Sequence, residues 1–197
     1  MAAPAVLREV FNAHRAAWGD EDDGITFDDG PAPVGRLDVL VYRPTAGTPM
    51  TSFTTIGMAV EPMPVGPGPG GGRRAELQFA RRGPLSREDE RAVAGQLANL
   101  AVHPLVTGDA IDWGHMIGLN RDFPTLPGCA AVLVSGPLTM SGRDYIRTSD
   151  GAVRILNVVP ITEAERSVGR TLPPIEFVQR LIAETDIFAP RDHPVPG

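Results

Sequence analysis

An α+β domain is the fold class this sequence predicts, and three observations predict it. Apolar and polar residues alternate over several short stretches, the period of a half-buried strand. Those stretches gather into hairpins, as around Ser149-Asp150-Gly151, where Asp-Gly is among the stronger short turn signals. Helical patterns fall between groups of strands and not after every strand, which argues against a doubly wound parallel sheet. With 197 residues the chain fits one domain. That length buries a core without a metal or disulfide. Residues 1–30 read as an N-terminal helix and acidic loop packed on the main unit, residues 31–197. The 22 glycines and 20 prolines require long or numerous loops.

Val6, Leu7, Val10, Phe11, Ala17 and Trp18 recur at helical spacing over residues 4–18, with Gly19 as the stop and His14 on the same stripe. Asp20-Glu21-Asp22-Asp23 and Asp28-Asp29-Gly30 follow. Counted from Asp20, the sixth and twelfth places hold Ile25 and Pro31, not the glycine and glutamate of a calcium loop, so a solvated acidic loop is expected. Leu37–Tyr42 and Ser52–Ala59 read as strands. Gly66–Gly72 is low-complexity loop and no phosphate cradle, since Arg73-Arg74 replaces the required Lys-Ser/Thr. Ala75–Arg81 alternates cleanly and completes a hairpin with an oversized tip. The arginine pairs bracketing it, Arg73-Arg74 and Arg81-Arg82, read as solvated ends.

Ser86 caps a helix with Glu88, Asp89 and Glu90 in its first turn, and His103-Pro104 is expected to end it. Trp113–Gly118 fits a short strand, Cys129–Val134 a buried one, and Tyr145–Arg147 with Val153–Val159 a hairpin. Thr162 and Glu165 form a capping-box pattern, and Pro173-Pro174 opens a last helix with the stripe Ile175, Val178, Leu181 and Ile182. The tail ends in Asp186…Arg191-Asp192-His193-Pro194.

Charge and composition exclude several functions. All 18 cations are arginine and stand against 24 acids, a net −6 that argues against a nucleic-acid surface and favours a basic protein partner. One cysteine, Cys129, excludes an internal disulfide and any multi-cysteine metal site, and its apolar run makes it a small buried hydrophobe. The N-terminus has no secretory h-region, and no stretch approaches the ~20 apolar residues of a membrane span, so a cytoplasmic protein is expected.

Catalytic signatures fail in turn. HExxH, Cys-x-x-Cys and a strand-linked G-x-G-x-x-G are absent, and Ser135 lacks the flanking glycines of a nucleophile elbow. His103, Asp109, Asp112 and His115 form the one loose set that zinc would accept, at spacing matching no ligand pattern. Trp113 fits either of two fates: core, the commoner one for a large aromatic, or exposed partner anchor.

The ordered segments resemble the suppressor-of-fused domain family over about residues 30–193. Thr54-Thr-Ile-Gly-Met58 is similar to the family's Gly-ended strand, Glu76-Leu-Gln-Phe79 to its Glu-Leu strand, and Arg87–Ala101 to the helix that follows. Gly108-Asp-Ala-Ile-Asp-Trp-Gly-His115 is similar to its Gly-Asp…Trp…His segment. Ile155–Glu163 and Asp186…Arg191 resemble its closing strand, helix start and Asp…Arg ending. The resemblance implies a single α+β domain, a largely antiparallel mixed sheet with packed helices. It also implies protein binding. Animal members mask a transcription factor with the help of a second domain, and single-domain bacterial members look like immunity proteins against a cognate toxin. Where animal members place a partner-contacting tyrosine this chain has Phe53, and Ala164 separates the usual adjacent acid pair.

The expectation is therefore a non-catalytic protein-binding domain of immunity type, without cofactor or metal, nucleic acid or membrane. Its candidate contacts are Phe53, Asp112, Trp113, His115 and the acids Asp20, Asp22 and Asp23. The alternatives are a metal-assisted hydrolase through His103, Asp109, Asp112 and His115, or a scaffolding domain.

Overall fold

A computed structural model of the chain describes residues 4–66, 71–140 and 142–191. Helix α1 (Ala5–Trp18) starts after Pro4, whose fixed φ suits a helix entry, and stops at Gly19 (φ +83°). Val6, Val10 and His14, four residues apart, form its buried face. Among the described residues eight strands then build one sheet: β1 (Asp23–Phe27), β2 (Leu37–Tyr42), β3 (Met50–Ile56), β4 (Arg74–Arg82), β5 (Met116–Gly118), β6 (Ala131–Ser135), β7 (Tyr145–Thr148) and β8 (Gly151–Ile161). Their order is β1-β2-β3-β4-β8-β6-β5. All pairs are antiparallel except β4 with β8. The eleven-residue β8 is the spine: β4 lines one edge, while β6 and β7 share the other. This is the expected α+β architecture with a largely antiparallel mixed sheet.

Helix α2 (Arg87–Thr107) covers one face, burying Val93, Leu97 and Leu100 against Val39, Phe53, Leu77, Phe79 and Leu156. On the opposite face α1 packs Val6 and Val10 on Leu40, Ile56, Val153 and Ile155 at one end. At the other end α4 (Pro174–Glu184), which follows the short α3 (Glu163–Gly169), packs Phe177 and Leu181 on Leu133, Val159 and Ile161. The α3 capping box forms as expected between Thr162 and Glu165. Cys129 is fully buried, and burial pushes its thiol up to about 11, consistent with a packing role.

Four expectations are corrected. The acidic segment is a loop only in part: Asp20–Asp22 and Asp28–Gly30 are irregular, as expected, but Asp23 opens β1, paired along β2, with Arg43 and Arg87 on its carboxylate. The strand expected over Ser52–Ala59 ends at Ile56, and Met58–Val60 turn in a 3-10 helix. Gly57 makes that possible, with φ +140° and a position where a Cβ would lie 2.8 Å from the Arg36 carbonyl oxygen. Helix α2 runs through Pro104 to Thr107, since a proline so near the end forfeits one backbone bond and Gly108 (φ +79°) caps the last turn. The α4 stripe is turned: Ile175 and Ile182 are 73% and 43% exposed, and Phe177 takes the core, its ring filling the space beside Gly169. Residues 67–70 of the hairpin tip and His193-Pro194 lie outside the described residues.

Candidate interaction site

Asp112-Trp113-Gly114-His115 is a tight turn between α2 and β5. The His115 N–H donates to the Asp112 carbonyl at 3.1 Å, and Gly114 adopts φ +90°, which a side chain would strain. Two bonds fix the turn to β6: Gly114 N–H to the Val134 carbonyl and Val134 N–H to the His115 carbonyl, both 2.8 Å. The Asp112 N–H donates to His115 Nδ1 at 3.0 Å, so the imidazole proton sits on Nε2. Asp112 is 5% exposed. Its Oδ1 accepts from the Trp113 N–H at 2.9 Å, and its Oδ2 receives Arg73 Nη1 at 2.7 Å and Arg154 Nη1 at 3.4 Å.

Trp113 stands on this base with 41% of its surface exposed. The Arg154 guanidinium carbon lies 4.3 Å from the ring centroid, a cation–π contact. Gly136 leaves the space the indole occupies: a Cβ there would meet the ring at 2.5 Å. Trp113 is therefore a surface residue and not part of the core. A Cβ on Gly114 would fall 2.6 Å from Pro174, so the turn abuts the start of α4.

The other expected contacts fare differently. Phe53 is fully buried against Phe79, ring centroids 5.9 Å apart, because its position in β3 faces α2; it offers no surface and is dropped as a contact. Asp22 and Asp23 are engaged by neighbouring arginines at the surface. The Asp22 carboxylate accepts from the Arg43 N–H at 2.6 Å, and Asp23 pairs with Arg43 and Arg87. Asp20 stays at the surface, paired with Arg15. His103, Asp109, Asp112 and His115 do not assemble: no group of three or more His, Cys, Asp or Glu side chains placed to hold an ion occurs among the described residues. Three of the four arginines expected at solvated strand ends also act as staples, Arg73 and Arg82 while half exposed. Arg73 binds Asp112, Arg74 holds the carbonyls of Ala59 and Val60, and Arg82 pairs with Asp186.

Sequence reading missed two buried acids and the site's cation. Glu90 looks like a helix-dipole acid but is 2% exposed and takes a two-pronged bond from Arg43, at 2.8 Å on each oxygen. Glu76 is fully buried and accepts from Thr55 Oγ1 (2.6 Å) and the N–H groups of Gly57 (2.8 Å) and Ala59 (3.0 Å). Desolvation still pushes its carboxyl up to about 7. Arg154, alternating within β8, carried no local signal at all.

The fold has known counterparts. No curated relative matches the chain. A suppressor of fused homologue from Neisseria gonorrhoeae superposes with a TM-score of 0.68 at 18% identity, covering 92% of this chain and 91% of that one. The Sufu-Fu complex gives 0.65 at 13% identity, covering 94% of this chain and 87% of the other. Drosophila Suppressor of Fused gives 0.64 at 12% identity, and there 94% of this chain spans 48% of the other. The profile of the Suppressor of fused protein (SUFU) family matches residues 34–190, a stretch that contains every strand but β1 and the whole Asp112–His115 turn, and on that match the chain belongs to this family.

Proposed function

We propose that the chain is a non-catalytic protein-binding domain that docks its partner on the surface around Trp113. The observation that carries the reading is an indole exposed yet immobilised, wedged on Gly136, covered by Arg154 and rooted in the buried Asp112 carboxylate. A rigid, half-exposed aromatic beside a guanidinium is the composition in which interface energy concentrates, since little entropy remains to be lost on binding. Ile175, exposed and next in sequence to the Pro174 that Gly114 abuts, is a candidate addition to that surface. One of the structures matched above is itself a complex of a suppressor of fused protein with a partner, which supports the reading at the level of the family.

The finer reading is an immunity-type protein that neutralises a cognate toxin. Its support is the resemblance to single-domain bacterial members and a net charge of −6, which speeds encounter with a basic partner. Affinity capture from the native host, with wild type and Trp113→Ala in parallel, identifies the partner. Titration calorimetry on the purified pair then measures the loss, expected at roughly 2 kcal/mol or more, about thirtyfold in Kd. Equal binding by the folded variant overturns the docking surface. Growth arrest by the captured protein, relieved by co-expressing this chain, is the outcome the toxin reading requires.

A further inference from the structure

The sheet face opposite α2 is covered at its two ends, by α1 and by α4, and its middle carries neither helix. Strand register places a polar row there. Thr54 pairs with Gln78 across β3 and β4, Gln78 with Asn157 across β4 and β8, and Asn157 with Ser135 across β8 and β6. Directly paired residues share a face, so four polar side chains cross the sheet between two apolar clusters. Apolar residues here would have joined those clusters into one core. Thr54 and Ser135 at the ends of the row are buried, Thr54 beside His14 of α1, and Gln78 and Asn157 between them face a cleft.

That cleft has a volume of about 660 Å³, within the range of small-molecule sites. Ser52, Gln78 and Asn157 form its floor, half-buried. Asn157 Nδ2 donates to the Gly136 carbonyl at 3.0 Å, which aims and fixes its carboxamide. The Ser52 hydroxyl and the Gln78 carboxamide have no hydrogen-bond partner among the described residues. Trp18, Met50, Leu138 and Phe188 supply apolar walls.

Charge then narrows the ligand. In a chain of net −6, no acidic side chain lines this cleft, while Arg82 and Arg143 do. Arg82 shares its charge with Asp186. Arg143 donates to the Ala13 carbonyl at 3.1 Å and has no acidic partner among the described residues. The wall residue His14 adds no charge of its own near neutral pH: burial first, then Arg143, lowers its imidazole to about 4. The larger groove beside α1 and β1, about 850 Å³, differs in kind. There Arg36 is already paired with Asp38, and Glu21 adds a second acid.

We infer that the cleft bounded by α1 on one side and by Leu138, Gly142 and Arg143 on the other binds a small organic carboxylate. The ligand's carboxylate meets Arg143, its polar middle meets Gln78 and Ser52, and its apolar body lies against Trp18 and Phe188. Hippurate carries all three features and is the probe, with its neutral amide as the matched control and phenylacetate and hexanoate as simpler carboxylates. Titration into the isotope-labelled full chain follows the side-chain amide resonances of Gln78 and Asn157. Hippurate is expected to shift both, the neutral amide at least roughly tenfold more weakly, for the loss of one charge-assisted bond. Arg143→Met, at an exposed position, is expected to weaken hippurate by about the same factor, with an unchanged melting temperature showing that loss of the bond to Ala13 has not disturbed α1. Gln78→Leu, which leaves the charge in place, should also weaken it and thereby locate the floor. Three results overturn the inference: equal binding of acid and amide, no effect of Arg143→Met, or no movement of these resonances with any of the three carboxylates at millimolar concentration.

Discussion

Asp112 shows how one side chain can serve the fold and the surface together. Its buried carboxylate binds Arg73 and Arg154, and Arg154 in turn covers Trp113. Replacement by alanine leaves two guanidiniums facing one another across a desolvated gap. With Arg73 half exposed and water able to reach it, the expected cost is about 1–3 kcal/mol, read as a lower urea midpoint at unchanged slope. In a Trp18→Phe background the fluorescence of Trp113 should shift to the red in the same variant, as the indole loses its anchor. The local part of this site is legible in sequence, because Asp-Trp-Gly-His compresses a turn, a side-chain cap and an aromatic into four residues. Its distant half is not: Arg73, Gly136 and Arg154 reach the turn only through sheet pairing, which no local pattern encodes.

His14 and Glu76 give the chain two opposed pH responses. The His14 imidazole, ordinarily near 6.5, is lowered to about 4 by burial and by Arg143, so between those values the unfolded chain binds more protons than the folded one. Its contribution is intact above about pH 6.5 and lost as pH falls toward 4, by about 3 kcal/mol as an order of magnitude. Glu76 works the other way. With its carboxyl raised from 4.5 to about 7 by desolvation, its contribution is intact below pH 4.5 and lost as pH rises through 7. Wild-type stability should therefore vary little across the overlap. His14→Gln should expose a curve that declines from pH 4.5 to 7, and Glu76→Gln one that declines from 6.5 to 4. Parallel curves for all three proteins in denaturant titrations at stepped pH would refute this account.

At the scale of the element, helix α4 marks the limit of periodicity as a guide. Ile175, Val178, Leu181 and Ile182 make an acceptable stripe on paper, but Phe177 lies roughly 200° around the helix from Ile175 at 100° per residue. Only one side faces the sheet. The larger ring wins it because Gly169 leaves room for an aromatic, a fact set by packing between two helices. The two faces should then respond in opposite ways. Phe177→Ala is expected to cost about 3–5 kcal/mol, whereas Ile175→Asp should stay within about 0.5 kcal/mol of wild type while weakening the partner complex. Thermal melts and calorimetry on the two variants separate stability from binding. Equal destabilisation by both would mean that Ile175 is packed.

For the molecule as a whole, the open question of architecture is whether α1 belongs to the domain. The family match begins at residue 34, so α1 and β1 lie outside it. Hydrophobic patterning shows the helix but not what it covers. In the structure Val6 and Val10 are 1% and 0% exposed, sealing Leu40, Ile56, Val153 and Ile155, and Glu9 accepts a 2.6 Å bond from the Ser149 N–H in the β7–β8 hairpin. Burying two valines contributes about 3–6 kcal/mol, a large part of the roughly 5–15 kcal/mol that holds an ordinary domain together. Deleting residues 1–19 should thus leave a chain that melts far lower, binds a hydrophobic dye through the bared strands and aggregates at concentrations where the intact chain does not. It should also remove one wall of the cleft, since His14 and Trp18 go with it. A truncated chain with wild-type melting and no dye binding would show that α1 is a peripheral addition, and the sheet beneath it would need another source of cover.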